Sequence, residues 1–197
     1  FMKIALIGSK GMLGSEFKLY FEKNNILFTA YDDVSCDITN EESCQNAFRD
    51  KSFTHIINCA AFTKVDACEN EQEKAYSINA MGVQNLANIS LQYDIPLIHF
   101  STDYIFDGKE RTPFKEEHAT NPLNLYAHSK LAGEKVLRKS KCSHTTFRIS
   151  WLFSPFGSNF VKTILRLSDT SCSTPPIGTA WLTVWLKISR PFHLRQK

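Results

Sequence analysis

Along the first 168 residues two hydrophobic patterns take turns. Short apolar runs occupy residues 3–7, 26–30, 55–59, 97–100 and 145–149. Between them, residues 12–22, 41–49, 73–93 and 125–139 carry apolar side chains at helical spacing. The alternation predicts strands and helices in turn. Strands apolar on both faces predict a parallel sheet covered on each side. With right-handed crossovers the chain winds into a doubly wound α/β sheet, a Rossmann fold. Ligands of such sheets bind beyond the carboxyl ends of the strands, so the residues after each run are the ones to read for chemistry.

The alternation stops near Leu167. Residues 168–176 are rich in Ser, Thr, Pro and Cys, Trp181 and Trp185 follow closely, and glutamate is absent from the tail. The charge changes at the same place. Residues 169–197 hold Lys187, Arg190, Arg195 and Lys197 against Asp169 alone, which accounts for the whole net charge of +3. A body without net charge argues against nucleic-acid binding. No apolar run is long enough to cross a bilayer. The apolar start, interrupted at Gly8, is too short for a signal peptide, and Met2 reads as the natural start. The six cysteines form no C-x-x-C pair and no Cys/His zinc spacing. They read as reduced thiols of a cytoplasmic protein without a metal site of its own.

Gly8-Ser9-Lys10-Gly11-Met12-Leu13-Gly14 follows the first predicted strand and opens the first predicted helix. Glycines there allow a tight turn and the close approach of a pyrophosphate to the backbone, and Gly14 lets the helix pack on the sheet. The first helical turn, with Met12 and Leu13, offers free N–H groups to phosphate. The same spacing suits a plain strand-to-helix turn, but the strand–loop–helix–strand context favours a dinucleotide site. The second strand runs into Tyr31-Asp32-Asp33. A carboxylate at Asp32 accepts hydrogen bonds from the adenosine ribose and repels a 2′-phosphate, which favours NADH; Lys10 pulls toward NADPH. Asp33 reads equally well as a solvated turn residue. Asp37-Ile38 follows closely and is placed to flank the adenine.

Tyr126 and Lys130 are four residues apart, on one face of a predicted helix. Free tyrosine has a pKa of about 10, and a nearby ammonium favours the phenolate and lowers that value. Tyr126 then donates its proton to a carbonyl oxygen as hydride reaches the carbon, and Lys130 holds the nicotinamide ribose. A Tyr/Lys pair of this kind is common on surface helices. It gains meaning from Ser101-Thr102-Asp103, directly after the fourth strand, where a hydroxyl can orient the substrate oxygen. Taken alone, Thr102 reads as a strand-end cap.

These segments resemble the extended short-chain dehydrogenases, and within them the reductases of dTDP-linked 4-keto-6-deoxy sugars. The likeness rests on residues 2–14, on Asn58-Cys59-Ala60-Ala61-Phe62-Thr63 with Val65-Asp66, on Asn79-Ala80, and on residues 101–108. It continues through Pro122-Leu123-Asn124-Leu125-Tyr126, Lys130-Leu131-Ala132-Gly133-Glu134-Lys135, Phe147-Arg148-Ile149-Ser150-Trp151 and residues 159–163. The resemblance implies Thr102, Tyr126 and Lys130 as the catalytic triad. It implies Gly8, Gly11, Gly14, Asp37, Ile38, Ala60, Ala61 and Phe62 as contacts to NADH or NADPH, and Thr102, Asp103 and Trp151 as contacts to the sugar nucleotide. The implied reaction reduces the 4-keto group of dTDP-6-deoxy-L-lyxo-4-hexulose to dTDP-L-rhamnose, for bacterial polysaccharide. A homodimer is compatible with it.

Family members run well beyond this length, so the resemblance implies a Rossmann domain over residues 1–168 with its substrate-binding lobe largely missing. Residues 169–197 then read as a divergent tail, out of frame or otherwise unrelated. Three further readings share the same residues. One is a non-enzymatic nucleotide-binding subunit of the methionine adenosyltransferase regulatory type. Another is an inactive, truncated reductase with an exposed sheet edge. The last, a sugar-nucleotide epimerase or dehydratase, is weaker: a dehydratase usually has an Asp-Glu pair after the Thr, and here Asp103-Tyr104 follows.

Overall fold

The computed structural model describes residues 1–49 and 51–171. The expectation for the tail falls almost wholly outside these described residues. Five strands form one parallel sheet: β1 (Lys3–Ile7), β2 (Leu27–Tyr31), β3 (His55–Asn58), β4 (Leu97–Thr102) and β5 (His144–Ile149). Their order is β2-β1-β3-β4-β5, all neighbours parallel. This is the 2-1-3-4-5 variant of the doubly wound fold, with its switch point between β1 and β3.

Strand periodicity divides the core between two faces. On one face Ala5 and Ile7 of β1, Ile56 of β3 and Leu97 of β4 pack with Phe48, Val83, Leu86 and Leu137. Those partners come from α2 (Glu41–Phe48), α5 (Gly82–Tyr93) and α6 (Leu125–Lys139). On the other face Ile4, Leu6 and Ile57 pack with Phe21 and Phe17 of α1 (Met12–Lys23). The central strand is thus apolar on both sides, as a covered parallel sheet requires.

The helix expected over residues 73–93 is three pieces: α4 (Gln72–Tyr76), a π-helical turn Ser77–Met81, and α5. A short helix, α3 (Val65–Asn70), precedes it and was not expected, because six residues are too few to show a period. Its Glu69 carboxylate accepts the Leu125 N–H at 2.9 Å, and Asn124 caps α6 by accepting the Ala127 N–H at 2.8 Å. Asp94, at φ 51°, ends α5 in the left-handed conformation.

The chain falls into two units, Phe1–Gly157 and Ser158–Lys197. In the second, α7 (Phe160–Ser171) is described, and Asn159 opens it by accepting the Lys162 N–H at 3.1 Å. Among the described residues no helix is long and apolar enough to cross a membrane, and no group of His, Cys, Asp and Glu could hold a metal ion.

Candidate active site

The residues singled out from the sequence gather at the carboxyl ends of the strands. Gly8 leaves β1 at φ +74°, and a Cβ there would stand 2.5 Å from the Ala60 nitrogen. Only a glycine lets the loop after β1 lie on the segment after β3, which closes the switch point. The Gly11 N–H donates to the Gly8 carbonyl at 3.1 Å and tightens the turn. A Cβ on buried Gly14 would overlap the Gly8 carbonyl oxygen at 2.2 Å, so α1 is pressed against the loop. No side chain caps α1, and no acidic residue lies in its first turn, where Met12 and Leu13 are half-buried. An uncapped helix end of this kind suits an anion.

Lys10 and Asp32, weighed as rivals in the sequence, form an ion pair with each other. Ser35 adds its backbone N–H at 2.8 Å and its hydroxyl at 2.6 Å to one oxygen of Asp32. The Lys10 ammonium, then Ser35, hold the Asp32 carboxyl well below the ordinary range. Lys10 itself is largely exposed. Asp33 is exposed. Asp37 turns its carboxylate onto Thr39, accepting the backbone N–H at 2.9 Å and the hydroxyl at 2.7 Å. The Ile38 side chain is buried against Gly82, and its carbonyl accepts from the Asn85 amide at 2.8 Å.

The segment after β3 is held by two buried asparagines. Asn58 accepts the Ala60 N–H at 3.0 Å. Asn79, in the π turn, accepts the Phe62 N–H at 2.9 Å and donates to the Phe62 carbonyl at 3.0 Å and to the Ser129 hydroxyl at 2.9 Å. Ser129 in turn donates to the Tyr126 carbonyl at 2.7 Å. Asn79 therefore ties Ala60, Ala61 and Phe62 to the helix that carries Tyr126 and Lys130. A Cβ on Gly133 would lie 2.2 Å from the Asn79 carbonyl oxygen, so the π turn and α6 meet backbone to backbone.

Thr102 ends β4, and its hydroxyl accepts the Tyr104 N–H at 3.2 Å and donates to Asp103 at 3.3 Å. It is thus the strand-end cap that its position suggested, and it also stands beside Tyr126. Burial raises the Tyr126 phenol above its ordinary value, while the Thr102 hydroxyl pulls the other way. The sequence led us to expect a lowered phenol. The reason for the difference is burial, which outweighs the pull of the Thr102 hydroxyl. Lys130, itself buried, donates to the Phe100 carbonyl at 2.7 Å. Burial brings Lys130 down to about 8, against the opposing pull of Glu134 and Cys59. The Tyr104 ring meets Tyr126 edge-on at 5.9 Å. Trp151, two residues past β5, sits at φ 51°, a conformation that costs a bulky residue energy.

Four positioning residues entered the sequence reading only as part of the resemblance, with no role of their own: Asn58, Asn79, Glu134 and Arg148. The signal was present for Glu134, an acid in a helix at core spacing from Lys130, and for Asn79, an amide amid apolar neighbours. Neither reveals its partner before the fold is known.

A doubly wound sheet with a glycine turn at its switch point, and a Thr, a Tyr and a Lys beyond β4, has the build of the short-chain dehydrogenases. The family comparison is specific: the profile of the RmlD substrate binding domain family matches residues 2–174, and the chain belongs to that family. The chain is 39% identical over 170 residues to the dTDP-4-dehydrorhamnose reductase of Escherichia coli (strain K12), covering 85% of this chain and 57% of the relative. It is 36% identical to the reductase of the same name from Sinorhizobium fredii, with 86% and 57% covered. A solved structure of the Bacillus anthracis dTDP-4-dehydrorhamnose reductase, in complex with NADP, superposes with a TM-score of 0.82 at 35% identity, covering 86% of this chain and 60% of that one. The chain thus spans about 57% of the length of the curated relatives it matches.

Proposed function

We propose that the chain binds NADH or NADPH across the carboxyl ends of β1 and β3 and carries the acid–base groups that reduce a dTDP-linked 4-keto-6-deoxy sugar. The expected reaction takes dTDP-6-deoxy-L-lyxo-4-hexulose to dTDP-L-rhamnose, and the names of the relatives support it. The observation that carries the reading is the meeting of Gly8 with Ala60, on the edge where Thr102, Tyr126 and Lys130 also lie.

The residues present fit a dinucleotide. Every Cβ at Gly8 or Gly14 would fill the turn, and the first turn of α1 leaves its N–H groups to a pyrophosphate. Gly8, Lys10, Gly11, Met12, Leu13 and Gly14 hold the phosphates in this reading. Asp32 with Lys10 faces the adenosine ribose. Asp37, Ile38, Ala60, Ala61 and Phe62 line the adenine and the pyrophosphate path. When bound, the nicotinamide supplies hydride to the carbonyl carbon.

The chain's own groups handle the proton. Thr102 orients the ketone by turning its hydroxyl hydrogen from Asp103 to the ketone oxygen. Tyr126, whose raised pKa keeps the phenol protonated at neutral pH, donates from Oη to the ketone oxygen. A phenolate left in a buried site is unfavourable, and the charge of Lys130 offsets it. Lys130 also faces the nicotinamide ribose. Asp103 and Trp151 contact the sugar nucleotide. The five cysteines among the described residues are free thiols, which supports a cytoplasmic setting.

The test is NADH consumption with the 4-keto sugar, for the chain and for Tyr126→Phe. The variant is expected to keep its NADH affinity and to lose at least about 100-fold in rate. Equal rates, or no consumption by the unaltered chain, would overturn the reading.

A further inference from the structure

Residues 106–124 lead from the 3₁₀ turn after Thr102 to the start of α6, and so link Thr102 to Tyr126 along the chain. The root of this segment is closed by Asn121, which donates its N–H to the Ile105 carbonyl at 2.8 Å and its side-chain amide to Asp107 at 3.1 Å. The outer part is mostly exposed and includes Lys109, Arg111 and Lys115. Arg148 of β5 reaches it twice. Its Nη1 donates to the Glu116 carbonyl at 3.0 Å, and its guanidinium lies 5.2 Å from the centre of the Phe106 ring, which stacks on Phe114 at 4.3 Å.

The other edge of the same guanidinium is fixed. Nε donates to Oε1 of Glu134 at 3.0 Å and Nη2 to Oε2 at 2.8 Å. Glu134 is only 2% exposed, one turn beyond Lys130 on α6, and Arg138 joins it at 2.8 Å. A buried ion pair adds little net stability over an apolar pair of like volume. What it adds is direction, because the planar fork accepts one carboxylate geometry.

We propose that Arg148 is a positioning residue for the reduction: braced on Glu134, it clamps residues 106–118 and so holds Thr102 against Tyr126. The kinetic consequence rests on the reductase reading above, and the clamp itself rests on geometry alone.

Arg148→Met by itself takes the bidentate partner from Glu134 and is expected to lower stability. The deciding variant is therefore Glu134→Met/Arg148→Met, in which apolar side chains replace the pair. The measurements are thermal unfolding, NADH fluorescence titration, trypsin cleavage after Lys109, Arg111 and Lys115, and kcat with KM. The double variant is expected to melt near the parent and to bind NADH within about twofold of it. It is expected to be cut in the segment about tenfold faster and to lose about 100-fold in kcat, with a much smaller change in KM. Arg148→Lys, which keeps the charge and loses the fork, should fall between. Unchanged cleavage in the double variant overturns the clamp whatever kcat does, because Glu134→Met also removes a negative charge near Lys130. Loss of NADH binding together with kcat overturns it as well, since that marks a merely structural pair. If the parent binds NADH and reduces no 4-keto sugar, the reductase reading fails, and the cleavage comparison still decides the clamp.

Discussion

On the β1 side of the candidate site, backbone sets position. Gly8 takes a positive φ, Gly11 closes the turn on the Gly8 carbonyl, and α1 begins without a side-chain cap. On the α6 side, buried side chains set position: Asn79 bridges Phe62 and Ser129, Lys130 docks on the Phe100 carbonyl, and Glu134 pairs with Arg148. A phosphate-binding turn needs only room and free N–H groups, which glycines supply. A group that moves a proton needs a fixed distance and a tuned charge, and these require partners from several elements.

The comparison breaks most sharply at Asn79. Asn79→Leu leaves the Phe62 N–H and carbonyl buried without their partner, and should cost about 3 kcal/mol in urea unfolding. Full stability in that variant would mean that the α6 side does not depend on buried side chains.

Lys130 sharpens the same side through pH. Its pKa is about 8 in the folded chain against an ordinary 10.5. Between those values the unfolded chain binds more protons, so stability gained from this group rises with pH, and its cost is fully present below about 8. Lys130→Met should therefore be more stable than the parent at pH 7 by up to about 3 kcal/mol, less the lost hydrogen bond. The gap should close as pH rises from 8 toward 10.5. A gap that does not change with pH would show that burial does not depress this lysine.

The smallest effect belongs to the exposed pair of the β1 side. Asp32→Asn frees Lys10 and removes a charge that repels a 2′-phosphate. The ratio of NADPH to NADH affinity should rise up to about fivefold, and less at high salt. An unchanged ratio would take Asp32 out of the ribose contact.

The same division decides what could be read before the fold. The five strands and the glycine turn were legible because each is a local pattern: a period, or glycines at the end of an apolar run. The parallel, doubly wound arrangement followed from strands apolar on both faces. The α6 side was legible only as residue types. Tyr126 and Lys130 announced themselves by spacing, yet burial, which spacing does not reveal, raises the phenol instead of lowering it. Ile38 was expected as a contact, and that its side chain packs in the core was not legible. Asn79 finds Phe62 17 residues away and Ser129 50 away, and Glu134 finds Arg148 14 residues away, where no local pattern links them. α3 escaped because a helix of six residues has no period to show.

The central claim is that the chain binds a nicotinamide dinucleotide across the carboxyl ends of β1 and β3. The most direct test is fluorescence titration of the chain with NADH and with NADPH, beside Gly11→Trp. Gly11 is exposed and a Cβ there meets only the Gly8 carbonyl, at 3.3 Å, so the indole should block the loop while leaving the sheet folded. Saturable binding that the variant loses is the predicted result. No saturable binding to either nucleotide, or equal binding by the folded variant, would contradict it.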